Sequence, residues 1–342
     1  MANTPAYVRS PYMIDVTGVA NDSTQVALFL WNSPDSIPGA PTITLAKPIP
    51  SSDVLTVWYD ISPYCRDYIN HTSFTEVTTP TAANVEEYCY CKVVRYLNGV
   101  SLTKQYDLLC LDGYGYQDEG YRPDGDTMLA EGDYYVQDSG NSGALGIFQD
   151  LADTWEAKYT SLLTGLTTTL TISNEYSFTP YLLPAYINEG NKLEILVNSV
   201  ITYTYNFRIQ CENKYTPINC DFVNKQGSWQ RLVFFKASSN DFNMTNTEYN
   251  LMPSTPNYNI LDNVRSVFNV NGLETIKCNT GWVYEAYDEV IKQLLLSEKI
   301  LLDDVPVLVS SKSVKLQKNI NDKNINYEVT FQYSAPTIQY NI

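Results

Sequence analysis

Short apolar runs alternate along this chain with clusters of Asn, Asp, Ser, Gly and Pro, the pattern of strands punctuated by turns. Strands are expected at 12–16, 26–31, 42–45 and 54–59, with a Pro/Ser-rich loop over 32–41. Two more, 85–96 and 102–111, flank Asn98-Gly99, a strong hairpin signal. A Thr-rich strand is expected at 167–173, and 193–197 meets 201–209 through Asn198-Ser199, with Tyr203, Tyr205, Phe207 and Ile209 on one face. The clearest hairpin spans 218–235. Its two apolar runs flank Asn224-Lys-Gln-Gly227, where Gly227 supplies the positive φ of a four-residue loop. Leu232 and Phe234 fall on one face and Trp229, Val233 and Phe235 on the other, so this strand should be covered on both sides.

Helical spacing occurs twice. Ile61, Cys65, Tyr68 and Ile69 share a face, with Pro63 in a first turn capped by Ser62. Val283, Tyr287, Val290, Ile291 and Leu294 define a helix over 281–297 capped by Thr280, its other face marked by Glu285, Asp288, Glu289 and Lys292. Strands at 305–309, 312–317 and 326–333 follow, the last two joined by a turn at 319–324.

These elements give a mainly β fold: two β-sandwiches (immunoglobulin/FN3-like or jelly-roll-like) and a C-terminal α+β segment with one helix. The expected domains are 1–112, 166–259 and 260–342. Residues 113–165 are expected as an extended arm, because 112–126 are dense in Gly, Tyr and acid and Gly140-Asn-Ser-Gly143 marks another turn. No fixed-period repeat is visible.

Composition adds function classes to exclude. The 342 residues are 44% hydrophobic and 18% charged, which is a folded chain. A net charge of −16 without a dense Lys/Arg run argues against nucleic-acid binding. Tyrosine (28) far outnumbers phenylalanine (11), which suits sheet surfaces and protein interfaces. Seven cysteines (65, 89, 91, 110, 211, 220, 278) include no C-x-x-C pair. Cys89 and Cys91 point to one face of a strand, too constrained for a zinc knuckle, so buried reduced thiols and a reducing cytoplasm are expected. Residues 1–20 lack a basic segment followed by an apolar core, and no apolar run approaches spanning length, so a soluble chain without membrane insertion is expected.

Candidate chemistry is sparse. The single histidine, His71, reads as a solvated loop residue, and one histidine cannot build a histidine zinc site. Glu86-Glu87 and Asp118-Glu119 are adjacent acids, which on a strand point apart instead of flanking a glycosidic bond. Asp124-Gly-Asp126, with Asp133 and Asp138, offers calcium-type oxygens without EF-hand spacing. Gly113-Tyr-Gly115 is not a phosphate loop. Lys312, Lys315, Lys318 and Lys323 read as edge protection or a contact to an acidic neighbour. No catalytic residue, cofactor or metal is expected.

Arg9-Ser-Pro-Tyr-Met-Ile-Asp15, Phe29-Leu-Trp-Asn32, Leu45-Ala-Lys-Pro-Ile-Pro50, Asp60-Ile-Ser-Pro-Tyr-Cys-Arg-Asp-Tyr-Ile69, Asp112-Gly-Tyr-Gly-Tyr116 with Glu119-Gly120, and Asp322-Lys-Asn-Ile-Asn-Tyr327 are spread over nearly the whole chain. Together they resemble virion structural proteins of tailed bacteriophages, especially those of Bacteroidetes hosts. The family usually carries Phe at the place of Tyr116 and often an aliphatic residue at that of Cys65. The resemblance implies a non-enzymatic virion part, in the tail or baseplate, forming rings or adapting between them and assembled in the bacterial host cytoplasm. Its partners would be its own copies and other virion proteins. Alternatives are a tail protein binding host-surface glycan, a glycan depolymerase, or a head-decoration or neck protein. Inter-subunit contacts are expected from the arm (Tyr114, Tyr116, Tyr121, Tyr134, Tyr135) and the C-terminal hairpin (Lys318, Lys323), and deleting 117–140 should abolish assembly while leaving a folded monomer.

Overall fold

A computed structural model describes residues 4–32, 37–50, 55–132, 134–136, 143–181, 191–209, 214–252, 256, 259, 261, 264–311 and 324–335. The chain divides into two compact units. One holds residues 1–211, 221–232 and 286–298, the other residues 212–220, 233–285 and 299–342.

The first unit contains two sandwiches. One is built from Thr4–Tyr7, Met13–Thr17, Ser23–Trp31, Ile43–Pro48, Thr56–Asp60, Tyr88–Leu97 and Tyr106–Leu111. The other is built from Tyr134–Val136, Leu145–Phe148, Trp155–Ser161, Thr167–Ile172, Tyr176–Thr179, Asn191–Val197 and Val200–Ile209. If each set is numbered one to seven in chain order, both make a main sheet in the order one, seven, six, three, four, and a second sheet from two and five. In both, strand one runs parallel to strand seven, an immunoglobulin-like strand order. Thr81–Ala82 adds to the small sheet of the second sandwich, beside Tyr176–Thr179.

Alternation fills both cores. Ile14, Val16, Val26, Leu28, Leu30, Tyr59, Cys89, Cys91, Val93, Leu108 and Cys110 meet in the first. Leu145, Ile147, Trp155, Ala157, Tyr159, Leu193, Ile195 and Phe207 meet in the second.

The same clasp closes the last hairpin of each sandwich. Asn98 (φ 50°) and Gly99 (φ 79°) form a left-handed turn. Asn98 N donates to Ser23 O at 2.7 Å, while Asn98 Oδ1 accepts from Ser23 N at 2.8 Å. Its Nδ2 donates to Asp22 Oδ1 at 2.8 Å. Asn198 repeats all three bonds with Thr154 and Asp153, at 2.8, 3.1 and 2.8 Å. Shared topology and a shared clasp make the two sandwiches one design used twice, a repeat that the sequence pattern conceals.

Residues 113–165, read from sequence as an arm, are folded into this unit. Leu145–Phe148 and Trp155–Ser161 are strands of the second sandwich, and Leu129, Ala130, Leu145, Ile147, Trp155 and Tyr159 are buried. The glycines that suggested an arm permit close approach: a Cβ on Gly113 would lie 2.7 Å from Lys225 O. Deleting 117–140 would therefore remove core residues such as Met128, Leu129 and Tyr134 instead of releasing a folded monomer.

The 218–235 hairpin forms as Ile218–Val223 and Trp229–Phe234, with every residue of the second strand buried. Its tip, read as a polar loop, is buried too. Asn224 Oδ1 accepts from Gln226 N and Ser228 N at 3.0 and 3.1 Å, and Nδ2 donates to Leu129 O at 2.8 Å. Buried polar groups satisfied in this way fix one arrangement of the chain. Gly227 has φ 78°, and a Cβ there would meet Asp112 N at 2.6 Å.

Two helix caps differ from expectation. The first helix, Ser62–Arg66, is entered through Asp60, whose Oδ1 accepts from Ser62 N and Oγ at 3.0 and 2.7 Å, while Ser62 makes no cap bond of its own. The second helix spans Asp288–Leu296, with Val290, Ile291 and Leu294 buried. It begins late because Gly281 takes φ 74° and Val283–Tyr284 forms a strand paired with Asn324–Ile325. Thr280 stitches strands instead of capping: its Oγ1 accepts from Tyr327 N at 3.0 Å.

In the second unit, Ile300–Leu302, Val305–Val309, Glu328–Tyr333, Arg265–Asn279 and Ser239–Asn250 neighbour one another in that order. Tyr327, Val329 and Phe331 face the core as the alternation requires. The turn at Asp303-Asp304 carries a third version of the clasp: Asp303 N donates to Asn219 O, and Asp303 Oδ1 accepts from Asn219 N, both at 2.9 Å. The strand expected at 312–317 and the turn at 319–323 lie outside the described residues.

Candidate assembly surface

The longest strands of the second unit belong to a ribbon that the sequence reading did not expect. Ser239–Asn250 pairs antiparallel with Arg265–Asn279, from Ser239↔Lys277 to Asn250↔Arg265. Only Thr275–Asn279 pairs onward, to Glu328–Tyr333. Among the described residues, 265–274 therefore have a single neighbour strand, over roughly 34 Å at 3.4 Å per residue.

All twelve residues of Ser239–Asn250 are exposed. Phe242 and Met244 are each 59% exposed, and Val267, Phe268 and Tyr249 are exposed as well. Phe242 lies across Gly272, where a Cβ would come within 2.3 Å of its ring. The register shifts between Thr245 and Thr247, with Asn269 at φ 52°, a bulge that re-aims the side chains beyond it. Past the bulge, the Tyr249 and Phe268 rings meet edge-on at 5.6 Å. Charge is scarce: residues 239–279 contain Asp241, Glu248, Asp262 and Glu274 against Arg265 and Lys277. A ribbon so nearly neutral, within a chain of charge −16, can meet another copy with little repulsion.

Of the five tyrosines expected at interfaces, three are consumed internally. Tyr134 is 2% exposed and stacks on Tyr181 and Phe207, both at 4.9 Å. Tyr135 is buried edge-on to Tyr287 at 5.2 Å. Tyr114 is buried beneath the Arg9 guanidinium, 5.0 Å from its ring centre. These rings serve the chain's own core because the supposed arm is folded. Tyr116 is half-exposed and donates to Glu289 Oε1 at 2.6 Å, an arrangement whose burial and neighbouring carboxylate push its phenol up. Tyr121 is 73% exposed. Lys318 and Lys323 lie outside the described residues.

His71 is not a solvated loop residue. It is 3% exposed, with its ring edge-on to Trp229 at 5.7 Å. The polar loop that suggested exposure covers this tryptophan, which also donates from Nε1 to Glu87 Oε1 at 3.2 Å. Burial pushes the Glu87 carboxyl up to about 7, against the lowering effect of the Trp229 bond. Alongside, Arg231 binds fully buried Asp221 through Nε and Nη2 at 2.6 and 2.8 Å and reaches Glu76. Every group here has a structural employment, and Glu86, exposed at a turn capped by Asn84, does not converge with Glu87.

The acidic loop borders a cleft of about 310 Å³ lined by Tyr7, Glu119, Arg122, Asp124, Asp126 and Lys225. Two of its three carboxylates are already engaged: Asp124 Oδ1 accepts from Tyr12 OH at 3.0 Å, and Glu119 accepts from Lys225 and from Tyr116 N. Among the described residues no three carboxylates converge there, and Asp133 and Asp138 lie outside them. The convergent metal-type group is instead Cys65, Cys91 and Cys110. These and Cys89, Cys220 and Cys278 are buried and form no disulfide among the described residues, while Cys211 lies outside them.

What sequence reasoning missed is the ribbon. Its available signal was the pairing of low charge with Phe242-x-Met244 and Thr275-Ile-Lys-Cys278 alternation. No family model, curated protein or solved structure matches this chain.

Proposed function

We propose that this chain is a non-enzymatic structural component of a tailed-bacteriophage virion, of the tail or baseplate type, working through contacts with its own copies and other virion proteins. The observation that carries this reading is the ribbon. Two-stranded ribbons are marginal in water on their own, and a long edge strand with exposed apolar residues is a template for association. A ribbon of this length with Phe242, Met244, Tyr249, Val267 and Phe268 exposed gains its stability when a neighbouring copy covers it. The resemblance of the dispersed motifs to virion proteins supplies the setting. Glycan binding is the weaker reading, since half-exposed Trp58 already has the Arg122 guanidinium over its ring at 5.7 Å.

The test removes residues 243–273 and joins Phe242 to Glu274 through Asn-Gly, which suits a two-residue hairpin turn. Light scattering after gel filtration should show a higher oligomer for the intact chain and a monomer for the shortened one, with unchanged circular dichroism. A chain that is monomeric at every concentration, or a shortened chain that still assembles, refutes the proposal.

A further inference from the structure

We propose that Cys65, Cys91 and Cys110 bind one Cu(I) ion in the core of the first sandwich. Three separate segments bring these thiols together. Cys65 sits in the Ser62–Arg66 helix, Cys91 on Tyr88–Leu97 and Cys110 on Tyr106–Leu111. Their sulfur atoms all lie within 4.8 Å of one another, and all three residues are fully buried. A trigonal site with metal–sulfur bonds of ~2.3 Å needs sulfurs ~4.0 Å apart, so closure asks for less than about an ångström of movement.

Cys89 provides the contrast. It lies on the same strand face, opposite Cys110 in register, and also reaches the core. Its thiol, however, donates to Tyr90 O at 3.3 Å and is not part of the group. Among the described residues no fourth metal-type ligand joins the three. Structural zinc sites take four ligands, whereas thiolate sulfur selects soft ions and Cu(I) accepts three donors. On binding, each thiol that becomes a thiolate gives its proton to solvent, and no electron moves. Because the site is closed, loading accompanies folding.

The full chain is unfolded under reductant and refolded anaerobically with Cu(I) buffered by a chelator, or in parallel with Zn(II), and retained metal is measured after gel filtration. One Cu(I) per chain is expected, with a near-ultraviolet thiolate-to-copper band. Retention should fall at least tenfold in Cys110→Ala and Cys65→Ala and persist in Cys89→Ala, each refolded variant being checked by near-ultraviolet circular dichroism. If Cys110→Ala does not refold, Cys65→Ala, at the end of a short helix, carries the test. Absence of retained copper, equal retention in the triad variants, or preference for zinc overturns the proposal.

Discussion

Replacing Phe242 and Met244 by threonine tests the ribbon without disturbing its backbone, since threonine favours strands. Each side chain is 59% exposed. Full burial of such a side chain is worth ~2.5 kcal/mol, so covering the exposed remainder contributes about 1.5 kcal/mol per residue. The pair therefore accounts for ~3 kcal/mol at each contact, a weakening of about 150-fold in Kd. The chain's own fold should lose little, because both residues are exposed and Phe242 rests mainly on Gly272. Sedimentation velocity across a thousandfold range of concentration reads the shift, and thermal melting checks the fold. A Kd within threefold of the parent, with melting unchanged, would show that the ribbon's apolar side chains are not what assembly covers.

Two further predictions concern the first unit. Glu87 has its carboxyl raised from 4.5 to about 7, so between those pH values the folded chain binds a proton the unfolded chain has lost. Its contribution to stability is greatest below pH 4.5 and falls by up to ~3 kcal/mol as pH rises through 7. Glu87→Gln should remove that slope and be the more stable protein at pH 8, as urea melts at pH 5 and pH 8 would show; an unchanged slope contradicts the burial argument. Gly227→Ala places a side chain at φ 78° and against the Asp112 and Gly113 amides at 2.6 Å, which should cost ~2–4 kcal/mol in urea denaturation. A loss under ~0.5 kcal/mol, the range of an ordinary surface change, would mean the tip relaxes freely.

Where neighbouring residues set the structure, the sequence was readable. Asn98-Gly99 and Asn198-Ser199 turn where their dipeptides require, and Tyr327, Val329 and Phe331 turn inward by simple alternation. Contacts remote in sequence were opaque. His71 is buried by Trp229, far along the chain, and nothing in Asn70-His-Thr-Ser73 records that. The two sandwiches share strand order and clasp, but their faces are filled by different side chains, Val26 and Leu28 in one and Trp155 and Ala157 in the other. The ribbon escaped because its bulge shifts the alternating register midway and because Asn and Thr occupy much of both strands. The interface tyrosines were misplaced for a related reason: a Gly- and Tyr-rich stretch reads alike whether it dangles or packs.

The division of the chain constrains how it can be made. One compact body draws on residues 1–211, then 221–232, then 286–298, so its last helix leaves the ribosome only after most of the other body has been synthesised. A nascent chain stopped at residue 211 holds the strands of both sandwiches but neither the strand carrying Trp229 nor the helix carrying Ile291, so this body is still two segments short. The sandwiches can therefore form early, while the body that contains them closes only when residues 286–298 have been made, well after its first domain-sized stretch has emerged.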